Sequence, residues 1–231
     1  MKGKQVLLTG GTGGLGLGVT PMVVSQGACV TIAYRSESEV ERLKDKLSAT
    51  EFDQIRFVAL DLLDESAVER LIDDMGRVDV LIHLAGGFSM GKVHEYSYDA
   101  WQKDFAINLN TTFLVCKHSL AKMLQQGYGR IVTVGSGAAA KPSGQMAGYS
   151  ASKAGVIALT QAIAEETKDV NITANCVLPS VIDTPSNRED MGSENADQWV
   201  KPESLGGVIC FLASEAAQDI RGAAVPVYGN I

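Results

Sequence analysis

The sequence predicts an α/β protein built on a doubly wound parallel sheet of about seven strands with helices on both faces. Three observations predict it. Short apolar, β-branched-rich runs alternate with longer helical patterns from end to end. Most of those runs are apolar on both faces, as a strand sandwiched between helices must be. Glycine supplies 24 of the 231 residues, and the excess sits in turns that follow strands.

Taken in order, residues 6–9 (Val-Leu-Leu-Thr) form a first strand that runs into a glycine-rich turn and a helix. Residues 28–34 are the second strand, with a helix over 38–47, and 55–60 the third, with a helix over 65–75. Residues 78–84 are the fourth strand, followed by a long helix over 101–124. The fifth strand, 130–134, is followed by a helix over 149–168, and the sixth spans 171–177. Residues 179–201 are polar and irregular, longer than the roughly 12 to 15 residues of an ordinary connection, and the stretch from about 180 to 201 reads as a lid. A helix over 202–214 and a strand over 223–227 complete a single domain, residues 1–231. Parallel neighbours need right-handed crossovers, and ligands of such sheets bind beyond the carboxyl ends of the strands.

Composition removes several function classes. Twenty Lys and Arg against 27 Asp and Glu give a net charge of −7, opposite to what phosphate neutralisation requires of a nucleic-acid binder. No stretch approaches the roughly 18 apolar residues of a membrane span, and a strand begins too near Met1 for a signal peptide, so a cytoplasmic protein is expected. Cys29, Cys116, Cys176 and Cys210 stand singly in apolar stretches, as buried reduced thiols do. His83, His94 and His118 form no helical pair, and no metal site is expected.

The turn Thr9-Gly10-Gly11-Thr12-Gly13-Gly14-Leu15-Gly16 lets the backbone approach a ligand closely, while the next helix offers free N–H groups to a pyrophosphate. Gly11, Gly13 and Gly16 satisfy G-x-G-x-x-G, and Gly10, Gly14 and Gly16 satisfy G-x-x-x-G-x-G; both registers stay open. A P-loop is excluded because no Gly-Lys-Ser/Thr follows. The second strand ends Tyr34-Arg35-Ser36, without the carboxylate that holds the 2′-hydroxyl of NAD. Arg35 and Ser36 suit a 2′-phosphate, so NADP(H) is preferred with NAD(H) possible; a solvated surface arginine is the alternative.

Tyr149 and Lys153 stand at i and i+4 on one helix face. A neighbouring ammonium favours a phenolate and draws a tyrosine toward the range of acid–base chemistry. With Thr9-Gly10, Gly14 and Gly16, Asp61, Ala85-Gly86, Asn108, Ser136 and Pro179 with Thr184 in order around this pair, the chain resembles a short-chain dehydrogenase/reductase over nearly its whole length. The resemblance implies a Rossmann-type oxidoreductase in which Tyr149 exchanges the proton on the substrate oxygen and Lys153 lowers its pKa and binds the nicotinamide ribose. It implies that Ser136 bonds the same oxygen and that Asn108 holds a water linking Lys153 to solvent. The cofactor would lie along Gly10, Thr12, Gly14, Leu15, Gly16 and Pro179, with Arg35 and Ser36 at the ribose, Asp61 and Leu62 at the adenine, Ala85 and Gly86 on the adenosine side, and Ile182 and Thr184 near the carboxamide. Simpler readings stand beside these: a helix-bending amide for Asn108, a turn cap for Ser136, a helix cap for Asp61 and plain loop for Thr184.

The pattern departs from the family at His83-Leu84, where two asparagines are common, at Ser180, where glycine is usual, and at the Tyr228-Gly229-Asn230 ending. Residues 182–199 resemble dihydropteridine reductases, relatives that typically lack the serine and favour NADH. The leading expectation is reduction of a ketone or ketoester to a secondary alcohol. A quinonoid dihydropteridine reductase, a 3-oxoacyl carrier protein reductase and a non-catalytic dinucleotide sensor are the alternatives. Family likeness implies a homodimer or homotetramer built on the two long helices, and pocket walls from residues 87–98, 137–147 and 179–201.

Overall fold

A computed structural model describes residues 1–230; Ile231, the last residue of the expected domain, lies outside them. The alternation of the apolar runs is visible in the core they build. Val6, Leu8, Val80, Ile82 and Val132 turn to one side of a sheet, while Leu7, Leu81 and Ile131 turn to the other. Successive strand residues point to opposite faces, so strands apolar at every position must be covered twice.

The strands are β1 (Gln5–Thr9), β2 (Cys29–Tyr34), β3 (Arg56–Ala59), β4 (Val80–His83), β5 (Tyr128–Val134), β6 (Asn171–Pro179) and β7 (Ala224–Val227). They pair in the order β3-β2-β1-β4-β5-β6-β7, every pair parallel. The helices are α1 (Gly16–Ser25), α2 (Glu37–Lys44), α3 (Ala49–Asp53), α4 (Glu65–Met75), α5 (Tyr98–Phe105), α6 (Thr111–Gln126), α7 (Gly137–Ala140), α8 (Ala147–Glu166), α9 (Pro185–Met191) and α10 (Pro202–Leu212). Val19, Val23, Leu205 and Ile209 bring α1 and α10 onto the first face. Val68, Leu71, Val115, Met123 and Ile163 bring α4, α6 and α8 onto the second. Strand order reverses between β1 and β4, which opens a crevice beyond their carboxyl ends.

Three expectations change. The long helix over 101–124 is two helices joined by a π turn, Ala106–Asn110. The Thr111 and Thr112 hydroxyls donate to the Ile107 and Asn108 carbonyls at 2.8 and 2.5 Å, and such back-bonding competes with the i→i−4 ladder. The lid is not irregular throughout: Thr184 caps α9, Pro185 fills its first position, and residues 196–198 form a 3-10 turn. Its base is pinned where Ile182 pairs with Val200. Cys29, expected to be buried, is exposed at the start of β2, whereas the other three cysteines are buried.

Candidate active site

The glycine turn leaves β1 at the crevice, and the structure separates its two registers. Gly10 has φ +70°, and a Cβ there would come within 2.6 Å of the Ala85 nitrogen. At Gly14 a Cβ would press on Thr184 at 3.1 Å, whereas at Gly13 it would meet nothing closer than 3.4 Å. Gly11 is tight as well, 2.9 Å from the Leu8 side chain, so all three positions of G-x-x-x-G-x-G are confined whereas Gly13 of the other register is not, and the turn touches both the end of β4 and the lid. Thr12 is buried, and its hydroxyl donates to Glu39 on α2 at 3.0 Å. Leu15 is half-buried, and Gly16 begins α1.

Arg35 lies exposed just past β2 and makes no ion pair among the described residues, while Ser36 bonds Ser38 at 2.8 Å. Asp61 does not cap α4. Its carboxylate accepts from the Leu63 N–H at 2.9 Å, and Asp64 caps the helix instead. Leu62 is half-buried against the second core. His83, ending β4, bonds Thr9 at 2.7 Å through Nδ1, and its buried Nε2 has no partner among the described residues. Burial, with Lys153 nearby, pushes its pKa down to about 3, so the ring is neutral.

Beyond β4, Ala85 and Gly86 cross the crevice. A Cβ on Gly86 would sit 2.8 Å from Asn108 Oδ1 and 3.1 Å from Lys153 Nζ, which places both side chains over this glycine. Asn108 is fully buried at the π turn; its Oδ1 accepts from the Gly87 N–H at 3.0 Å and its Nδ2 has no partner among the described residues. Ser136 opens α7 after β5. Its Oγ accepts from the Ala138 N–H at 3.1 Å, so it caps a turn and still has its own proton to donate. Lys153, in the second turn of α8, is buried and donates to the Val134 carbonyl at 2.8 Å; burial lowers its pKa to about 8.

Tyr149 is half-buried. Burial raises its pKa, the Ser136 hydroxyl opposes that, and the Asp104 carboxylate adds to the rise. The phenol is held protonated at neutral pH, opposite to the lowering expected from Lys153. The ammonium's bond to Val134 satisfies one of its donors on the strand instead. Pro179 ends β6, Ile182 belongs to the pinned base of the lid, and Thr184 caps α9 through the Asn187 N–H at 3.3 Å.

Sequence reading missed three neighbours of this site. Asp104 and Glu39 gave no local signal, because their partners lie on other segments. Tyr228 was assigned to the tail; its ring instead lies over Gly137, where a Cβ would come within 2.9 Å, and Ser180 donates to its carbonyl at 2.6 Å.

Residues 4–195 match the family profile described as short chain dehydrogenase. The chain belongs to the short-chain dehydrogenase/reductase family. It is 30% identical to an uncharacterised oxidoreductase, YvrD, of Bacillus subtilis, over all of this chain and 97% of the relative. It is 31% identical to the 3-oxoacyl-[acyl-carrier-protein] reductase MabA of Mycobacterium tuberculosis, over 99% and 92%. It is 28% identical to the D-beta-hydroxybutyrate dehydrogenase of Cupriavidus necator, over 96% and 95%. Among solved structures it superposes on ElxO with NADP bound at a TM-score of 0.91, with 27% identity over 99% of this chain and 98% of that one. This short-chain dehydrogenase/reductase is an NAD(P)-dependent oxidoreductase that acts on CH–OH and C=O groups. Among its described residues no helix is long and apolar enough to cross a membrane.

Proposed function

We propose that this chain is a cytoplasmic, single-domain carbonyl reductase that prefers NADPH over NADH and converts a ketone or ketoester to a secondary alcohol. The observation that carries the reading is the arrangement at the crevice: Tyr149, kept protonated, beside a Ser136 hydroxyl with a free proton and one helical turn from buried Lys153. Two relatives point, by name, to oxygen on the third carbon of an acyl chain, one a 3-oxoacyl reductase and the other a β-hydroxybutyrate dehydrogenase.

The cradle fits a dinucleotide. Gly10, Gly14 and Gly16 leave no room for side chains, Thr12 and Leu15 lie between them, and the start of α1 faces the crevice. Arg35 and Ser36 would take the 2′-phosphate, Asp61 and Leu62 the adenine, and Ala85 and Gly86 the adenosine side. Pro179, Ile182 and Thr184 would meet the carboxamide, and Lys153 with Tyr149 the nicotinamide ribose. When bound, the cofactor supplies the hydride.

The chain's own residues manage the proton. Ser136 donates to the substrate oxygen and orients it. As the carbonyl carbon gains the hydride, its oxygen becomes a far stronger base than a phenolate and takes the proton of Tyr149. The tyrosinate is reprotonated from solvent through Lys153, whose pKa burial lowers to about 8, and Asn108 Nδ2, without a protein partner among the described residues, would hold the relaying water.

Tyr149→Phe is expected to bind NADPH as the parent does, by fluorescence titration, while turnover falls about 10² to 10⁴-fold. Full turnover in that variant overturns the reading. Ketones, ketoesters and quinonoid pteridines form the panel for wild type. Reduction of a carrier-bound acetoacetyl group far better than of its free thioester analogue would assign the substrate to the carrier protein instead. An apolar groove between α6 and α8, with Phe113 and Leu124 exposed at its edges, is the proposed surface of a homodimer or homotetramer, and a monomer by light scattering would refute it.

A further inference from the structure

The loop leading from β4 to α5 is built inside out. Its polar Ser89 turns inward, whereas its neighbours Phe88 and Met90 are 57% and 55% exposed. A solvated loop does the reverse. The inward residue joins a cluster outside the catalytic set. Asp104, on α5, is buried and meets no cation among the described residues. Its Oδ1 accepts from the Ser89 hydroxyl at 2.5 Å and its Oδ2 from the Tyr96 hydroxyl at 2.7 Å, with those two hydroxyls 2.5 Å apart. A buried carboxylate without a counter-ion persists only when donors satisfy it, so both ends of the loop are drawn to one point.

Two glycines make the slot for Tyr96. A Cβ on Gly91 would come within 2.3 Å of the ring, and one on Gly148 within 3.0 Å of the ring and 2.4 Å of Asp104 Oδ2. Gly148 immediately precedes Tyr149. The Gly91 N–H also donates to the Gln145 carbonyl at 2.8 Å, and Gln145 is the one non-glycine residue at positive φ among those described, +66°. Gly87 is tied to Asn108. Among these anchors Phe88 stands edge-on to the Tyr149 ring, centroids 5.0 Å apart.

We propose that Ser89, Tyr96 and Asp104 are positioning residues that latch this loop to α5, against the start of α8, and so hold Phe88 as an apolar wall beside the Tyr149 ring. The substrate class that fits is a carbonyl compound bearing an aryl or bulky alkyl group next to the carbonyl, in preference to a small or charged one. The inference rests on the reductase reading and adds the identity of that group.

Ethyl benzoylacetate and ethyl acetoacetate differ only in the group on the reacting carbonyl. Wild type is expected to favour the benzoyl ester in kcat/KM, mainly through KM. Phe88→Ala is expected to lower the benzoyl-to-aceto ratio of kcat/KM by about tenfold, the scale on which an apolar pocket discriminates. Tyr96→Phe keeps the ring in its slot and removes one bond to Asp104; it should lower the same ratio by about threefold and quicken hydrogen exchange at the Gly91 amide. A Phe88→Ala variant that loses both esters equally overturns the proposal, as does a Tyr96→Phe variant with unaltered Gly91 exchange and ratio. Turnover of both esters by wild type without preference also overturns it while leaving the reductase reading intact; NADPH binding with no turnover of either overturns both.

Discussion

The polar groups that the π turn, the end of β5 and α8 bring to Tyr149 are buried, and those that follow β2 and β3 are not. Asn108, Ser136 and Lys153 are each buried and each committed to a backbone partner, the Gly87 N–H, the Ala138 N–H and the Val134 carbonyl. Arg35 and Asp61 are exposed, and among the described residues the only partner of the Asp61 carboxylate is a neighbouring amide. A polar group inside the fold must have its bonds met, so changing one disturbs several. A surface side chain is replaced at a cost usually within about 0.5 kcal/mol. The proposed chemistry is therefore held by the core, and the proposed choice between cofactors rests on a few surface charges.

The sharpest way to break that contrast is at Lys153. Burial lowers its pKa from 10.5 to about 8, so the folded chain gives up this proton more readily than the unfolded one. Stability linked to this group rises as pH climbs from about 8 to 10.5, and below 8 the buried ammonium weighs fully against the fold. Lys153→Met is expected to remove the rise in urea-unfolding stability that wild type shows between about pH 8 and 10.5, while activity falls about a hundredfold or more. Activity retained in Lys153→Met would mean that the lysine serves the core rather than the reaction.

The same division explains what could be read from the sequence. The alternation of strands and helices and the two apolar faces depend on local periodicity, and the structure carries a seven-stranded parallel sheet covered on both faces, with Tyr149 and Lys153 on one helix. The π turn at Asn108 was hidden because the side chains of Thr111 and Thr112 decide it, not the apolar pattern. The confinement of Gly10 and Gly14 depends on Ala85 and Thr184, far along the chain. The Ser89–Tyr96–Asp104 cluster joins two segments through side chains that, read singly, are ordinary loop and helix polar residues. Cys29 looked like its three buried counterparts because its neighbours are apolar, yet it starts a strand at the surface.

On the exposed half the expected effects are smaller. Arg35→Ala should lower the NADPH-to-NADH ratio of kcat/KM by about tenfold, as loss of a charged hydrogen-bonding partner does, and an unchanged ratio would make Arg35 a plain surface residue.

Glu39 pulls the other way. Its carboxylate accepts from Thr12 on the glycine-rich turn and lies 3.6 Å from Arg42, which places a negative charge beside the proposed cradle. It is partly exposed and already neighboured by a cation, so its repulsion of a 2′-phosphate is screened to the scale of a surface pair, under about 1 kcal/mol. Glu39→Gln keeps the acceptor for Thr12 and removes the charge. It should raise the NADPH-to-NADH ratio about two- to fivefold at low ionic strength, and the gain should shrink in added salt. A gain exceeding the loss seen in Arg35→Ala would show that the acid on α2, and not the arginine after β2, governs which cofactor the surface half accepts.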